Sequence, residues 1–312
     1  MKTVKILFAY LAFAGAASAQ TFQGGGEVVD LWPAGDVPGN ITTKPETATE
    51  RGNGRQRWLS NVSKPRLELF KCASKEPAGL VIICPGGAYK GMSADNEGLS
   101  IAKWAVGRGF NAAILWYRVP DNMKGALQDI QRAIRLARAN AGKWNINPDK
   151  ICVVGFSAGA NLCARASTRY NVKEYQPIDA ADKLSAKPTH TCLIYPAYCD
   201  ERNLNKMKIA RSGKDEPAAD YNSEYKLAAN LLVDAGTPPA FIVQTLADTT
   251  YVNSSIAYFL ALKKAGVKAN LFLCDDGRHG FGLGKNISGT LVSMWPELFE
   301  KWLAINGFKS SK

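Results

Sequence analysis

Residues Gly155-Phe156-Ser157-Ala158-Gly159 follow the β-branched run Ile151-Cys152-Val153-Val154 and lead into Ala158 to Ala166, a stretch rich in helix formers. That order predicts a strand, a sharp turn and a helix, with Ser157 at the apex. Glycines two positions before and after the serine leave room for a strained turn that side chains would block. A serine presented this way can attack an acyl carbon. Its hydroxyl is a poor nucleophile at neutral pH, so an imidazole must take its proton and a carboxylate must hold that imidazole in one tautomer.

The chain has two histidines. His190 opens the apolar run through Tyr195 and reads as a strand-entry residue at the wrong end of its strand. His279 sits in Gly277-Arg278-His279-Gly280, a glycine-flanked loop after the strand Asn270 to Cys274, and is the candidate general base. A carboxylate lying between Ser157 and His279 in the chain completes the set. Asp248 fits, because it ends the strand from Ala240 to Ala247 and precedes a helical stretch from Asn253 to Ala265. Asp200 is a rival, whereas Asp275 and Asp276 are too near His279 in sequence to reach its ring. Negative charge on a tetrahedral intermediate needs backbone N–H donors. Cys84-Pro85-Gly86-Gly87-Ala88-Tyr89, after the buried-strand signature Gly79 to Ile83, supplies a loop for them. The amides of Gly87, Ala88 and Ala158 are the candidate oxyanion hole.

Positioning these groups requires strands that end at one edge. Strand candidates near 66–72, 79–84, 111–117, 151–155, 190–196, 241–246 and 270–274 alternate with helical or loop segments, which predicts an α/β fold: a mainly parallel, doubly wound sheet covered by helices on both faces. Ligands gather at the carboxyl edge of such sheets. Gln128 to Arg138 reads as a sheet-covering helix with a solvated basic face, and Arg118 with Asp129 as a structural pair. Residues 20–65 are expected to wrap the edge of the domain. The segment from Asp200 to Gly236 is expected to cross near the mouth of the site, either contacting substrate or serving as a solvated connection.

Lys2 and Lys5, the apolar stretch Ile6 to Ala17 and the small-residue site Ala17-Ser18-Ala19 form an export signal, so residues 1–19 read as a cleavable signal peptide and 20–312 as a single catalytic domain, secreted or periplasmic. No later apolar run reaches the length of a membrane span. The formal charge of +12 favours acidic polymers or an anionic envelope as surroundings. Two separated histidines support no metal centre, and nothing resembles a nucleic-acid-binding motif. Seven cysteines leave at least one unpaired if every disulfide is internal. Cys84, Cys152, Cys192 and Cys274 fall in core strands, and Cys72, Cys163 and Cys199 are the better disulfide candidates.

Several blocks carry a resemblance: Leu31-Trp32-Pro33, Cys84 to Tyr89, Trp116-Tyr117-Arg118-Val119-Pro120, Gln128 to Ala133, the Ser157 turn, Thr237-Pro238-Pro239 and Gly277 to Gly284. Together they resemble the α/β-hydrolase superfamily, in particular carbohydrate acetyl esterases of the acetylxylan esterase-like, or BD-FAE-like, group. The resemblance implies an α/β-hydrolase fold, no cofactor, and a Ser157-Asp248-His279 triad with Gly87, Ala88 and Ala158 around the oxyanion. It also implies removal of O-acetyl groups from a polysaccharide or oligosaccharide. Feruloyl or other aryl-ester hydrolysis is the nearest alternative; a peptidase of the same fold and a catalytically silent carbohydrate-binding protein are more distant. The chain departs from the group at Ala88, where a third glycine is commoner, and at Ala160-Asn161, where a doubled glycine is commoner. A methyl group at Ala88 would narrow the acyl pocket or tilt its amide. Tyr89, Trp116 and Tyr117, near the strand edge, are the candidate sugar-stacking surface, with core packing as the competing reading.

Overall fold

The computed structural model describes residues 22–309, apart from 35, 40, 53–55 and 213–224. Eleven strands are numbered in chain order: β1 Glu27–Asp30, β2 Thr47–Arg51, β3 Gln56–Ser60, β4 Arg66–Phe70, β5 Ala78–Cys84, β6 Met92–Ser93, β7 Asn111–Trp116, β8 Ile146–Phe156, β9 His190–Ile194, β10 Ala240–Thr245 and β11 Ala269–Cys274. The helices are α1 Ser100–Gly107, α2 Met123–Ala139, α3 Ala141–Trp144, α4 Ala158–Thr168, α5 Glu201–Ser212, α6 Val252–Lys264 and α7 Trp295–Ile305.

Eight strands form one sheet in the order β1-β4-β7-β5-β8-β9-β10-β11. From β7 to β11 all neighbours run parallel, and β1 and β4 add an antiparallel edge. The middle strands β5, β7 and β10 are buried along their whole length. Continuous apolar runs do this when helices cover both faces. From β5 the chain crosses through α1 to β7 on one side, whereas from β8 it crosses through α4 to β9 on the other. Right-handed crossovers in opposite directions put these helices on opposite faces, so the ends of β5 and β8 form the switch point of the sheet. The two loops that the sequence assigns to the oxyanion and the nucleophile therefore flank the switch point.

The predicted strands all form, with ends shifted by a few residues. The N-terminal region does wrap an edge, but through strands that the sequence pattern did not announce: β1 extends the large sheet beside β4, and β2 and β3 form a hairpin that joins β6 in a separate three-stranded sheet. The expected solvated basic face of α2 is a second difference. Arg132 is buried and pairs with Asp179 and Asp182, while Arg138 donates to the Ser185 and Lys187 carbonyls. The guanidinium groups tie the chain after α4 back onto α2. All seven cysteines are free thiols; Cys163 and Cys199 are buried hydrophobes rather than halves of a disulfide. The export segment lies outside the described residues. Among the described residues, no helix is long and apolar enough to cross a membrane.

Arg118 and Asp129 form the expected structural pair, and it is fully buried. Asp129 accepts the Arg118 backbone N–H at 2.9 Å, its guanidinium at 3.0 Å and the Trp32 indole N–H at 2.8 Å. Arg118 also donates to the Gly125 carbonyl and the Gln128 side chain. Three segments distant in sequence meet at this one carboxylate. Arg118→Met is expected to cost about 3–5 kcal/mol, because it leaves Asp129 charged and unpaired in the core; urea unfolding measures this. Adding Asp129→Leu is expected to recover part of the loss.

Candidate active site

The turn after β8 has the required strain. Ser157 has φ 53° and ψ −117°, outside the basins an L-residue favours. A Cβ on Gly155 would lie 2.3 Å from the Gly159 carbonyl oxygen, and one on Gly159 would lie 2.0 Å from that of Cys84. Both glycines are required by contact, as the sequence pattern implied. The Ser157 N–H donates to Ile194 O at 3.0 Å and its carbonyl accepts Ala197 N–H at 3.1 Å, so the end of β9 braces the turn from its other side.

His279 Nε2 lies 2.7 Å from Ser157 Oγ, and His279 Nδ1 lies 2.6 Å from Asp248 Oδ2. Asp248 is buried, whereas the His279 side chain keeps 32% of its surface exposed. The imidazole is thus open to solvent while the carboxylate beside it is shielded from water. The rings of Tyr195 and Tyr251 stand 4.9 Å from that of His279, fixing its plane. Asp248 also takes the Tyr251 N–H at 3.3 Å as the chain turns into α6. The rivals have other tasks: Asp200 accepts the Ser254 hydroxyl at 2.5 Å and the Asn203 N–H at 2.9 Å. His190 packs edge-on against Trp302 and Phe308, and burial lowers its pKa.

The loop after β5 lies directly against the serine turn. A Cβ on Gly86 would fall 2.5 Å from Phe156 O and 2.9 Å from Ser157 Cβ, and one on Gly87 would fall 2.1 Å from Gly91 O. Ala88 and Tyr89 follow with φ 53° and 57°, two successive non-glycine residues in the left-handed region. Their neighbours hold them there. Arg211 of α5 donates to Ala88 O at 2.6 Å, and the Tyr89 hydroxyl donates to Asn161 at 2.9 Å. Among the described residues, the N–H groups of Gly87, Ala88 and Ala158 donate to no protein acceptor. Three backbone donors beside one serine can receive an oxyanion. Trp58 of β3 lies over this loop where Gly87 and Gly91 have no side chains, with Arg51 stacked 3.7 Å from its ring.

The proposed sugar-stacking residues are corrected by the structure. Tyr89, Trp116 and Tyr117 are all fully buried. Trp116 donates to Glu68 at 2.9 Å and packs on Phe22, and Tyr117 donates to the Pro85 carbonyl at 2.6 Å. They support the oxyanion loop and the sheet edge from within, because β7 lies between β4 and β5 with both faces covered. Partly exposed Tyr251 and Trp58 are the aromatic residues at the mouth instead. Sequence reasoning also missed Glu97, Asn161, Tyr195 and Arg211. Only Asn161, one helical turn after Ser157, had a position that pointed at the site.

A strand-to-helix serine turn at the switch point of a mostly parallel sheet, with the histidine in the loop after the last strand, defines an α/β-hydrolase. Within that class the chain belongs to the BD-FAE family, whose model matches residues 67–262. An acetylxylan esterase from Xylanibacter ruminicola is 29% identical over 237 residues, covering 72% of this chain and 45% of the relative. Endo-1,4-beta-xylanase B from Butyrivibrio fibrisolvens is 31% identical over 211 residues, covering 64% of this chain and 32% of the relative. The chain thus spans less than half the length of these curated relatives. The crystal structure of an acetyl ester-xyloside bifunctional hydrolase from Caldicellulosiruptor lactoaceticus superposes with a TM-score of 0.74 at 30% identity, covering 91% of this chain and 98% of that one. The propionate-bound Est2 esterase of Thermogutta terrifontis shares the fold, with a TM-score of 0.67 at 22% identity and coverage of 93% and 97%.

Trp116→Phe is expected to destabilise the protein by about 2–4 kcal/mol, through lost volume and an unpaired Glu68 oxygen, while leaving KM for an ester substrate unchanged. Thermal melting alongside steady-state kinetics checks both. A raised KM with unaltered melting would return Trp116 to the substrate surface.

Proposed function

We propose that this protein is a serine carboxylesterase that removes O-acetyl groups from a xylan-type polysaccharide or its oligosaccharides. The observation that carries the proposal is the unbroken hydrogen-bonded chain from Ser157 Oγ through His279 to Asp248, at 2.7 and 2.6 Å, beside three backbone N–H groups that have no acceptor among the described residues. In this reading His279 Nε2 takes the Ser157 proton as Oγ attacks the acetyl carbon. The oxygen that becomes negative is received by the N–H groups of Gly87, Ala88 and Ala158, and collapse of the intermediate sends the proton from His279 to the departing sugar oxygen. Water then gives a proton to His279 as it attacks the acetyl-Ser157 ester, and collapse of that intermediate releases acetate while His279 returns the proton to Ser157 Oγ. Asp248 holds the Nδ1–H tautomer and stabilises the imidazolium in both halves. Proton and acyl transfers complete the cycle with side chains, backbone and water.

The choice of substrate is supported by the acetylxylan esterase relative and the acetyl ester-xyloside hydrolase neighbour. Space beside the site agrees with a glycan. A cleft of about 300 Å³ runs from Ala88 past Tyr198 and Tyr251 to Arg211, and another of about 410 Å³ lies between the β2–β3 hairpin and Phe281. Each is wider than an acetyl group requires and opens beside a residue of the oxyanion or histidine loop. The N-terminal signal pattern supports an exported enzyme, where polymeric xylan is accessible.

Acetate release from acetylated xylo-oligosaccharides, beside methyl ferulate as a control, tests the reading. Acetate but not ferulate release is expected, and Ser157→Ala is expected to lower kcat by about 10⁴-fold or more with folding intact. Ferulate release without acetate would shift the activity to aryl esters, and a fully active Ser157→Ala protein would remove Ser157 from the mechanism.

A further inference from the structure

Glu97 is a buried carboxylate that the proposed cycle does not use. It sits on a π-helical turn, Ala94–Leu99, that precedes α1. Such turns cost regular hydrogen bonding and recur near functional sites. Glu97 Oε2 accepts the Gly86 N–H at 2.7 Å, and Oε1 accepts the Tyr195 hydroxyl at 2.7 Å. The Tyr195 oxygen in turn accepts the Gly282 N–H at 3.1 Å. Gly86 immediately precedes the oxyanion residue Gly87, and Gly282 is three residues beyond His279. The Tyr195 ring meets His279 edge-on at 4.9 Å and Phe281 at 4.5 Å. The same π turn reaches the histidine loop a second time through Asn96, which donates to Gly280 O at 3.3 Å. It is anchored from outside by the ion pair of Asp95 with Arg57.

We infer that Glu97 is a positioning residue, which through Tyr195 sets the oxyanion loop and the histidine loop at a fixed separation about Ser157. This rests on the serine esterase reading. Both Glu97 oxygens act as acceptors, and only a carboxylate satisfies both donors. Burial raises the pKa of Glu97, and the Tyr195 hydroxyl, the Gly86 N–H and the charge on His279 oppose that rise. A glutamine cannot satisfy both donors in either orientation. If its oxygen accepts from Gly86, its NH₂ faces the Tyr195 oxygen that also receives Gly282 N–H, and the phenol proton loses its acceptor. If its oxygen accepts from Tyr195, its NH₂ opposes the Gly86 N–H. Each orientation leaves one buried donor without an acceptor and loosens the link between the two loops.

The test uses p-nitrophenyl acetate, so that its result is independent of the natural glycan, with kcat expressed per serine titrated by a phosphonate ester. Ser157→Ala is the control for the underlying mechanism: activity surviving in it would overturn the triad, whatever Glu97 does. Glu97→Gln and Tyr195→Phe are each expected to lower per-site kcat by about 10- to 100-fold through misplaced donors and base, while KM changes by less than about three-fold. Because both cut one linkage, the double variant is expected to lose little more than the worse single variant. Should Glu97→Gln fail to fold, Tyr195→Phe, which keeps the Gly86 contact, carries the test. Per-site kcat within about three-fold of wild type in the folded variants, or losses that multiply in the double variant, would overturn the assignment and leave Glu97 a purely structural acid.

Discussion

The ends of β5 and β8 meet backbone to backbone, and the geometry of the site follows from that contact. Gly159 stands where any side chain would strike the Cys84 and Pro85 carbonyls, and Gly86 where one would strike Phe156 and Ser157. Neither loop can shift alone. The strands that deliver them are in register from Leu80 opposite Ile151 to Cys84 opposite Gly155 and buried on both faces. Burial of that apolar surface, at about 25 cal/mol per Å², offsets the local strain of Ser157, Ala88 and Tyr89, which is of order 1–3 kcal/mol at each position. The reactive geometry is therefore enforced by the sheet rather than by the loops themselves.

Around this contact, buried polar groups join the chain's connections to one another. Glu68 collects the N–H groups of Gly24 and Gly26 and the Trp116 indole, which pins the N-terminal segment to the sheet edge. Asp129 does the same for Trp32 and Arg118, and Asn161 joins Tyr89 to the Tyr198 carbonyl across the nucleophile helix. In a low-dielectric interior each group must find its partner or lose the full cost of its desolvation. The sequence blocks that resemble the esterase group are largely these knots: Leu31-Trp32-Pro33, Trp116-Tyr117-Arg118 and Gln128-Asp129 meet at a single carboxylate. They report on scaffold as much as on chemistry.

The hydrogen-bonded arrangement of Ser157, His279 and Asp248 was legible in the chain because the proposed acyl transfer restricts residue type severely. With two histidines, one of them at a strand entry, His279 had no competitor, and chain order together with a place at a strand end favoured Asp248 while leaving Asp200 as a rival. The parallel strands were legible for a similar reason, since apolar β-branched runs of that length have few other uses. Where their burial ends was not. Every residue of β7 is apolar except Asn111, which marks a strand covered on both faces, but the position of Trp116 at the strand end made it look available to sugar. Strand β2 is exposed from Thr47 to Arg51 and forms only through pairing with β3, so no hydrophobic period announces it. Glu97 lies among Asp95 and Asn96 like any solvated acid. Its environment comes from Tyr195, 98 positions away, a distance over which local pattern carries no information. Arg132 was misread in the opposite direction, as a surface cation, because its partners Asp179 and Asp182 arrive from another segment.

The bonds of the site also span the chain. Ser157 and His279 are 122 residues apart, Asp248 and His279 are 31 apart, and Glu97 reaches forward 98 residues to Tyr195. Contacts of such high order form late, after the loops between them have closed. A growing or partly folded chain that ends before β11 holds a strained serine turn but lacks the His279 imidazole that bonds to it. The hydrogen-bonded chain from Ser157 to Asp248 is accordingly a property of the finished sheet alone. Its recovery after dilution from denaturant therefore reports the last step of assembly, where a signal from helix content would report an early one.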